Sequence, residues 1–176
     1  MREGGVILYP TDTVWGLGCD ATDDKAVRRI YEIKQRVDNK AMLVLVNSVA
    51  KLQGYVEEVP EMAYELIEMS RKPLTVIYDR GRNFAASLLG EDGSIGIRVT
   101  NEAFSHQLCL QFRRPVVSTS ANVSGRPTPR NYSQIEREII DAVDYVVKYR
   151  QDDASEPAPS SIIKLSAGNM ITIIRE

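Results

Sequence analysis

Apolar positions along the chain fall into two periods that alternate from the N-terminus. Val6-Ile7-Leu8-Tyr9 is a short apolar run that stops at Pro10 and the polar Thr11-Asp12-Thr13, which reads as a buried strand followed by a turn. Val14-Trp15-Gly16-Leu17-Gly18-Cys19 continues as an extended, glycine-spaced segment. Thr22 or Asp23 can then cap a helix running to about residue 35, in which Ala26, Val27, Ile30 and Ile33 recur at helical spacing while Arg28, Arg29 and Glu32 point outward. Met42-Leu43-Val44-Leu45-Val46 is a continuous apolar run, as expected of a strand covered on both faces. Asn47 or Ser48 caps a short helix, and Pro60 opens another whose stripe is Met62, Ala63, Leu66, Ile67 and Met69. Residues 74–78 and 95–99 read as strands, and Thr100 or Asn101 caps a helix to about residue 112.

In the second half, Pro115-Val116-Val117-Ser118 is a strand entering Thr119-Ser120-Ala121-Asn122, after which Gly125, Pro127 and Pro129 enforce a loop. Ser133 caps a helix to about residue 140, Tyr145-Val146-Val147 is a short strand, and residues 151–159, rich in Asp, Ser, Ala and Pro, form a loop. Residues 161–165 and 170–175, joined through Gly168-Asn169, predict a hairpin. There is no internal repeat. Strands and helices alternate irregularly, so the expected fold is α/β (α+β), a single domain over residues 1–176 with a twisted mixed β-sheet flanked by helices. A first strand only a few residues from the start predicts that an upstream helix is missing and that the N-terminus is incomplete.

Composition narrows the function classes. A chain of 176 residues is one domain with room for a sizeable core. With 22 Lys and Arg against 24 Asp and Glu, the formal net charge is −2, which argues against coating nucleic acid by bulk positive charge but leaves room for a local cationic pocket. One histidine, His106, and the distant Cys19 and Cys109 do not supply the ligands of a usual zinc site. Two separated cysteines, no signal peptide and no apolar run near the length of a membrane span predict a cytoplasmic protein with no membrane association.

Four groups of residues are candidates for chemistry. Lys34-Gln35-Arg36 with Lys40 sits at a helix C-terminus, where cations either complement the helix dipole or, between a helix and a buried strand, clamp a polyanion. Ser118-Thr119-Ser120-Ala121-Asn122-Val123-Ser124-Gly125 follows a strand and is either a self-satisfied polar turn or the uncharged polar lining of a small-molecule site. Thr11 and Thr13 flank Asp12 in a turn that, alone, reads as structural. Arg98 shares a strand face with Gly96, so it either snorkels to solvent or pairs with an anion. His106 reads as a surface or packing residue, and Trp15 packs beside the first turn or walls a pocket. No Gly-x-x-x-x-Gly-Lys-Ser/Thr occurs, which excludes a standard P-loop. Gly16-Leu17-Gly18-Cys19-Asp20-Ala21 matches only a degenerate dinucleotide fingerprint behind a poor strand.

Taken in order, Tyr9-Pro10-Thr11-Asp12-Thr13-Val14-Trp15-Gly16-Leu17-Gly18, Lys34-x-Arg36, Gly96-Ile97-Arg98, Ser118-Thr119-Ser120-Ala121-Asn122-Val123-Ser124-Gly125 and the late Ser160-Ser161-Ile162-Ile163 resemble the YrdC-like family, across almost the whole chain. These are the threonylcarbamoyl-AMP synthases that begin the threonylcarbamoyladenosine modification of tRNA. The resemblance implies the short single-domain form of a fold with a concave cationic cavity. It implies L-threonine, bicarbonate and ATP as substrates, with Mg2+ accompanying ATP, and no protein nucleophile. It implies that Lys34 and Arg36 hold the ATP phosphates and are catalytic, with Lys40, Ser94, Asn122, Arg130 and Arg175 as further ATP contacts. Thr13, Arg98, Ser120 and Ser160 correspond to threonine-binding positions. Proteins that transfer the threonylcarbamoyl group downstream, and contact with tRNA, are the implied partners.

The chain departs from the family at Val37 and Ala41, where relatives often carry proline, so the segment holding Lys40 loses φ-fixing residues. Leu45 stands where some relatives have histidine. The alternative from a different class is an RNA-binding or regulatory module using the same cationic concavity, separable by the salt dependence of tRNA binding.

Overall fold

The apolar runs pair into a sheet whose centre is formed by residues far apart in the chain. The computed structural model describes residues 1–36, 42–166 and 168–176. β1 (Ile7–Tyr9) and β2 (Gly16–Gly18) form an antiparallel pair. β3 (Leu43–Val46), β4 (Leu74–Tyr78), β5 (Ile95–Val99) and β6 (Val116–Ser120) follow, then β7 (Tyr145–Val146), β8 (Ser161–Ser166) and β9 (Met170–Arg175). Among the described residues the strands make one mixed sheet in the order β7-β1-β2-β6-β3-β5-β4-β8-β9. β1 with β7, β3 with β5, and β4 with β8 are parallel, and the other neighbours are antiparallel. The last hairpin reverses at Gly168 and Asn169, both in the left-handed region (φ 77° and 60°), where glycine and asparagine are the tolerant residues.

Tyr9, Leu17, Leu45, Ile97 and Leu165, spread over β1, β2, β3, β5 and β8, are all almost fully buried, so the core runs across nearly the whole sheet. The expected pair Gly16 and Gly18 lies inside β2 rather than in a loop before a helix. There Gly18 packs so closely that a Cβ would lie 2.5 Å from Tyr9 Cε1 and 2.9 Å from the Val117 carbonyl oxygen. The glycines serve strand packing, and the dinucleotide fingerprint is an accident of spacing.

The helices are α1 (Asp24–Ile33), α2 (Leu52–Tyr55), α3 (Glu61–Met69), α4 (Ala103–Phe112) and α5 (Arg137–Ala142). Of the two caps expected for α1, Asp23 takes the position, its carboxylate accepting from the Lys25 and Ala26 N–H groups. The cap of α4 is Glu102 and not Thr100 or Asn101. Its carboxylate accepts from Phe104 N and Ser105 N, while the Thr100 hydroxyl is engaged by Ser105 Oγ at 2.8 Å. Ser133 likewise caps nothing, because its hydroxyl donates to Asn131 Oδ1, and α5 starts later, after Glu136. The stripe of α3 is narrower than its sequence pattern, since Ala63 is fully buried and Met69 is 79% exposed. At 100° per residue Met69 sits about 120° around the helix from Ala63, outside the covered face.

Candidate active site

Strand register aligns a row of side chains across one face of the sheet. Leu45 is opposite Arg98, Arg98 opposite Thr75, Thr75 opposite Ile162, and Ile162 opposite Arg175. Leu43, two residues before Leu45 and therefore on the same face, is opposite Ser118 of β6. Gly96 lies on this face too, where a Cβ would sit 3.5 Å from both Leu43 Cβ and Thr75 Cγ2, in ordinary van der Waals contact.

Above this row lies a cavity of about 500 Å3, within the range of small-molecule sites. Its described lining contains four arginines, Arg36, Arg98, Arg130 and Arg175, and no Asp or Glu. Ser118, Thr119 and Ser120 at the end of β6, with Thr13, Thr128 and Ser160, add hydroxyls. The structure therefore gathers Thr13, Arg36, Arg98, Ser120, Arg130, Ser160 and Arg175 of the sequence candidates into one site.

Each cation is placed by a local device. At the end of α1, Arg36 N donates to Tyr31 O and Gln35 N to Glu32 O, with Gln35 in the left-handed region at φ 48°. This is a Schellman closure, and it stops the helix and throws Arg36 toward the cavity, its guanidinium 5.9 Å from the Tyr31 ring centre. Arg130 is held by Glu156 Oε2 at 2.6 Å, which fastens the 151–159 loop over the site. Arg175, on the edge strand, folds back and donates to the Ser160 carbonyl from Nε (2.9 Å) and Nη2 (2.8 Å), and to Ser160 Oγ at 3.2 Å. Ser160 Oγ in turn lies 3.1 Å from Thr75 Oγ1 in a buried contact.

Arg98 is 2% exposed. Its Nη2 meets Asp12 Oδ1 at 2.9 Å and donates to Thr13 Oγ1 at 3.4 Å, and its Nε is buried without a hydrogen-bond partner. Burial pushes the guanidinium down and the Asp12 carboxyl up from their ordinary values, and the attraction between the two opposes both shifts. The turn bearing Asp12 is closed by Thr11 Oγ1, which accepts from Thr13 N at 3.1 Å and donates to Val14 O at 2.7 Å. Trp15 is buried and tilts against Tyr132 with ring centres 5.0 Å apart.

Other candidates are placed differently. Lys34 is 3% exposed and does not line the cavity; its Nζ donates to the backbone oxygens of Ser120 and Asn122, the latter at 2.8 Å. Burial, with a smaller contribution from Arg36, brings its ammonium down to about 8. In return Ser124 N donates to Lys34 O, so α1 and the 120–124 turn brace each other. Asn122 also stays inside its loop: Nδ2 donates to Val123 O and Arg126 O, and Oδ1 is buried without a partner. Ser94 does not line the cavity. It sits four residues before Arg98, about 13 Å along the strand, in a turn where its N–H donates to Asp92 Oδ1. Lys40, Val37 and Ala41 lie outside the described residues. His106 is a packing residue, with Nδ1 3.1 Å from Thr100 O.

Sequence reasoning missed Thr75, Thr128 and the part played by Asp12. Thr75 carried a signal, as the one polar residue in the otherwise apolar or aromatic Leu74-Thr75-Val76-Ile77-Tyr78. Thr128 carried none, because only the fold of its loop brings it to the cavity.

A cavity over a mixed sheet, lined by four arginines and a hydroxyl-rich strand end, defines a binder of anionic small molecules. The chain belongs to the Sua5/YciO/YrdC family: the family model described as "Telomere recombination" matches residues 1–176. It is 33% identical over 150 residues to the threonylcarbamoyl-AMP synthase of Pseudoalteromonas translucida, covering 84% of this chain and 80% of that one. Its fold is similar to P. abyssi Sua5 carrying H234A/Y235A, with a TM-score of 0.87 and 26% identity over 99% of this chain and 53% of that one. It is also similar to P. abyssi Sua5 complexed with L-threonine, with a TM-score of 0.82 and 27% identity over 93% of this chain and 48% of that one. The chain thus spans about half the length of the Sua5 chains it matches. Among the described residues no helix is long and apolar enough to cross a membrane.

Proposed function

We propose that the chain is an L-threonylcarbamoyladenylate synthase, a nucleotidyltransferase that makes threonylcarbamoyl-AMP and pyrophosphate from L-threonine, bicarbonate and ATP. The observation that carries this reading is the charge of the cavity, with four arginines and no carboxylate among its described lining. Both organic substrates are anionic at the groups that matter, the threonine carboxylate and the ATP phosphates. Positioning and neutralising them in a partly enclosed site is the catalytic work this reaction asks of a protein. The named synthase relative and the threonine-bound Sua5 support the same choice of substrates.

The threonine amine attacks the carbon of bicarbonate or CO2 to give a carbamate; from bicarbonate water leaves, and from CO2 the amine proton is released to solvent. A carbamate oxygen then attacks the α-phosphorus of ATP as the bond to the β-phosphate breaks and pyrophosphate departs. Arg98 takes the threonine carboxylate, and Thr13, Ser120 and Ser160, which line the same cavity, fix the rest of the amino acid. Arg36, Arg130 and Arg175 face the phosphates. Lys34 acts in the present arrangement by holding the 120–124 turn that shapes one wall, and Asn122 braces that turn from inside through Val123 O and Arg126 O. The hydroxyl and guanidinium lining does not suit a resident divalent cation, so any Mg2+ would come with ATP and not be held by these residues. The product is an activated carbonyl, and the class of enzyme that consumes it is a threonylcarbamoyl transferase modifying tRNA. Cys19 and Cys109, buried free thiols, suit a reducing cytoplasm.

Mass spectrometry of the protein incubated with ATP, L-threonine and bicarbonate should find threonylcarbamoyl-AMP, with pyrophosphate release requiring both threonine and bicarbonate. Pyrophosphate release indifferent to threonine would overturn the reading. Arg36→Ala should cut turnover by roughly a hundredfold, whereas Arg98→Ala should chiefly raise the threonine requirement.

A further inference from the structure

Asp12 has no task in the proposed reaction, yet it makes the only ion pair to Arg98 found among the described residues, at 2.9 Å. It does not line the arginine-rich cavity. It lines instead a separate smaller cavity of about 170 Å3 together with Ile67, Arg71, Pro73, Asn101 and Glu102. The carboxylate therefore contacts Arg98 from a different side from the one on which substrate would enter. The same guanidinium nitrogen, Nη2, is shared with Thr13 Oγ1, which leaves Nε buried without a partner.

The turn that presents Asp12 is built to hold it still. Thr11 Oγ1 ties Thr13 N and Val14 O across Asp12, and Arg150 Nη1 donates to Thr11 O at 3.3 Å while Nη2 pairs with Asp153 at 2.8 Å. Arg98 itself is fixed in mid-strand between β3 and β4. A long side chain with several rotamers is thereby anchored at one nitrogen, and a bidentate donor is useful only when its plane is fixed.

We infer that Asp12 is a positioning residue: by pairing with Arg98 Nη2 from outside the arginine-rich cavity, it fixes the guanidinium for the substrate carboxylate. This rests on the assignment of Arg98 to threonine in the proposed function. Asp12 touches no reacting atom, so its loss acts through Arg98 and falls on threonine rather than ATP.

The test measures L-threonine and ATP binding separately by titration calorimetry for the wild type, Asp12→Asn, Arg98→Met and the double variant, alongside product formation by the wild type. Asp12→Asn should weaken threonine roughly tenfold to a hundredfold while leaving ATP within about twofold. In the Arg98→Met background the same change should have no further effect on threonine, because the group it acts through is gone. Unchanged threonine affinity, equal losses for both ligands, or losses that add in the double variant would each overturn the inference. If Asp12→Asn does not fold, Asp12→Glu, which keeps the charge but moves it by one methylene, carries the same comparison, with weakened threonine expected and unchanged affinity refuting. A wild type that binds threonine but forms no product would overturn the proposed function and leave the Asp12 comparison standing. A wild type that binds no threonine would overturn both.

Discussion

Gly18 of β2 packs beneath the Tyr9 ring, and Gly18→Ala tests how far that contact holds the β1–β2 pair in place. The added methyl would lie 2.5 Å from Tyr9 Cε1, 3.2 Å from Cδ1 and 2.9 Å from the Val117 carbonyl oxygen. Val117 O belongs to backbone, so it moves only with its strand. The ring is the softer neighbour, but it is fully buried and its hydroxyl donates to that same Val117 O at 3.0 Å. Swinging the ring aside leaves its rotamer well and a buried hydrogen bond; separating β1 from β2 instead opens the core. Overpacking of this kind with loss of a buried hydrogen bond costs roughly 2–5 kcal/mol. For a domain of this size that lowers Tm by roughly 5–15 °C. Urea denaturation followed by fluorescence, with Trp15 as the single tryptophan reporter, measures it directly. Trimming the ring in Tyr9→Leu should make the alanine less harmful, by about 1 kcal/mol or more of coupling. A loss below about 0.5 kcal/mol, or strict additivity with Tyr9→Leu, would refute the argument from close packing.

Thr75→Val removes the hydroxyl that meets Ser160 Oγ and keeps the shape of the side chain; we expect a loss of about 1 kcal/mol in stability and a higher KM for threonine, and an unchanged KM would remove Thr75 from the positioning of Ser160. On the acid side, Asp24 and Asp92 are held down to about 2, chiefly by hydrogen bonds from Ser87 and Ser94 respectively. Their folded values lie below the unfolded ones, so the unfolded chain binds more protons between pH about 4 and 2. Stability from these groups is present above that window and falls as pH drops through it. Acid titration of Asp24→Asn should show a shallower decline there, and an identical profile would count against the assignment.

Most of the secondary structure was legible from periodicity because most strands carry their own apolar run and α1 and α3 their own stripe. Asp23, Gln35 and the 168–169 turn act through local backbone contacts, and the sequence marked all three, as a cap, a helix end and a turn. The misplaced elements are those where side chains chose partners that no spacing rule discloses: Glu102 took the cap that Thr100 could have filled, and Ser133 spent its hydroxyl on Asn131. Lys34 shows the same limit at the site. Its position at a helix end was plain, but its burial onto the carbonyls of Ser120 and Asn122 depends on a turn more than 80 residues away.

The cationic character of the site and its order of motifs are properties of the chain itself. Arg36, Arg98, Arg130 and Arg175 are read directly from the sequence, and local patterns suffice to put each at a helix end, in a strand, in a loop or in the last hairpin. Which of them share a cavity is decided by register across the sheet, where β5, β4, β8 and β9 bring Arg98, Thr75, Ile162 and Arg175 into one row. Asp12, in the turn between β1 and β2, meets Arg98 while lining a different cavity, and no described carboxylate enters the arginine-rich lining. Strand pairing between distant segments is a tertiary choice, settled by burial of both faces at once, and one-dimensional spacing does not carry it.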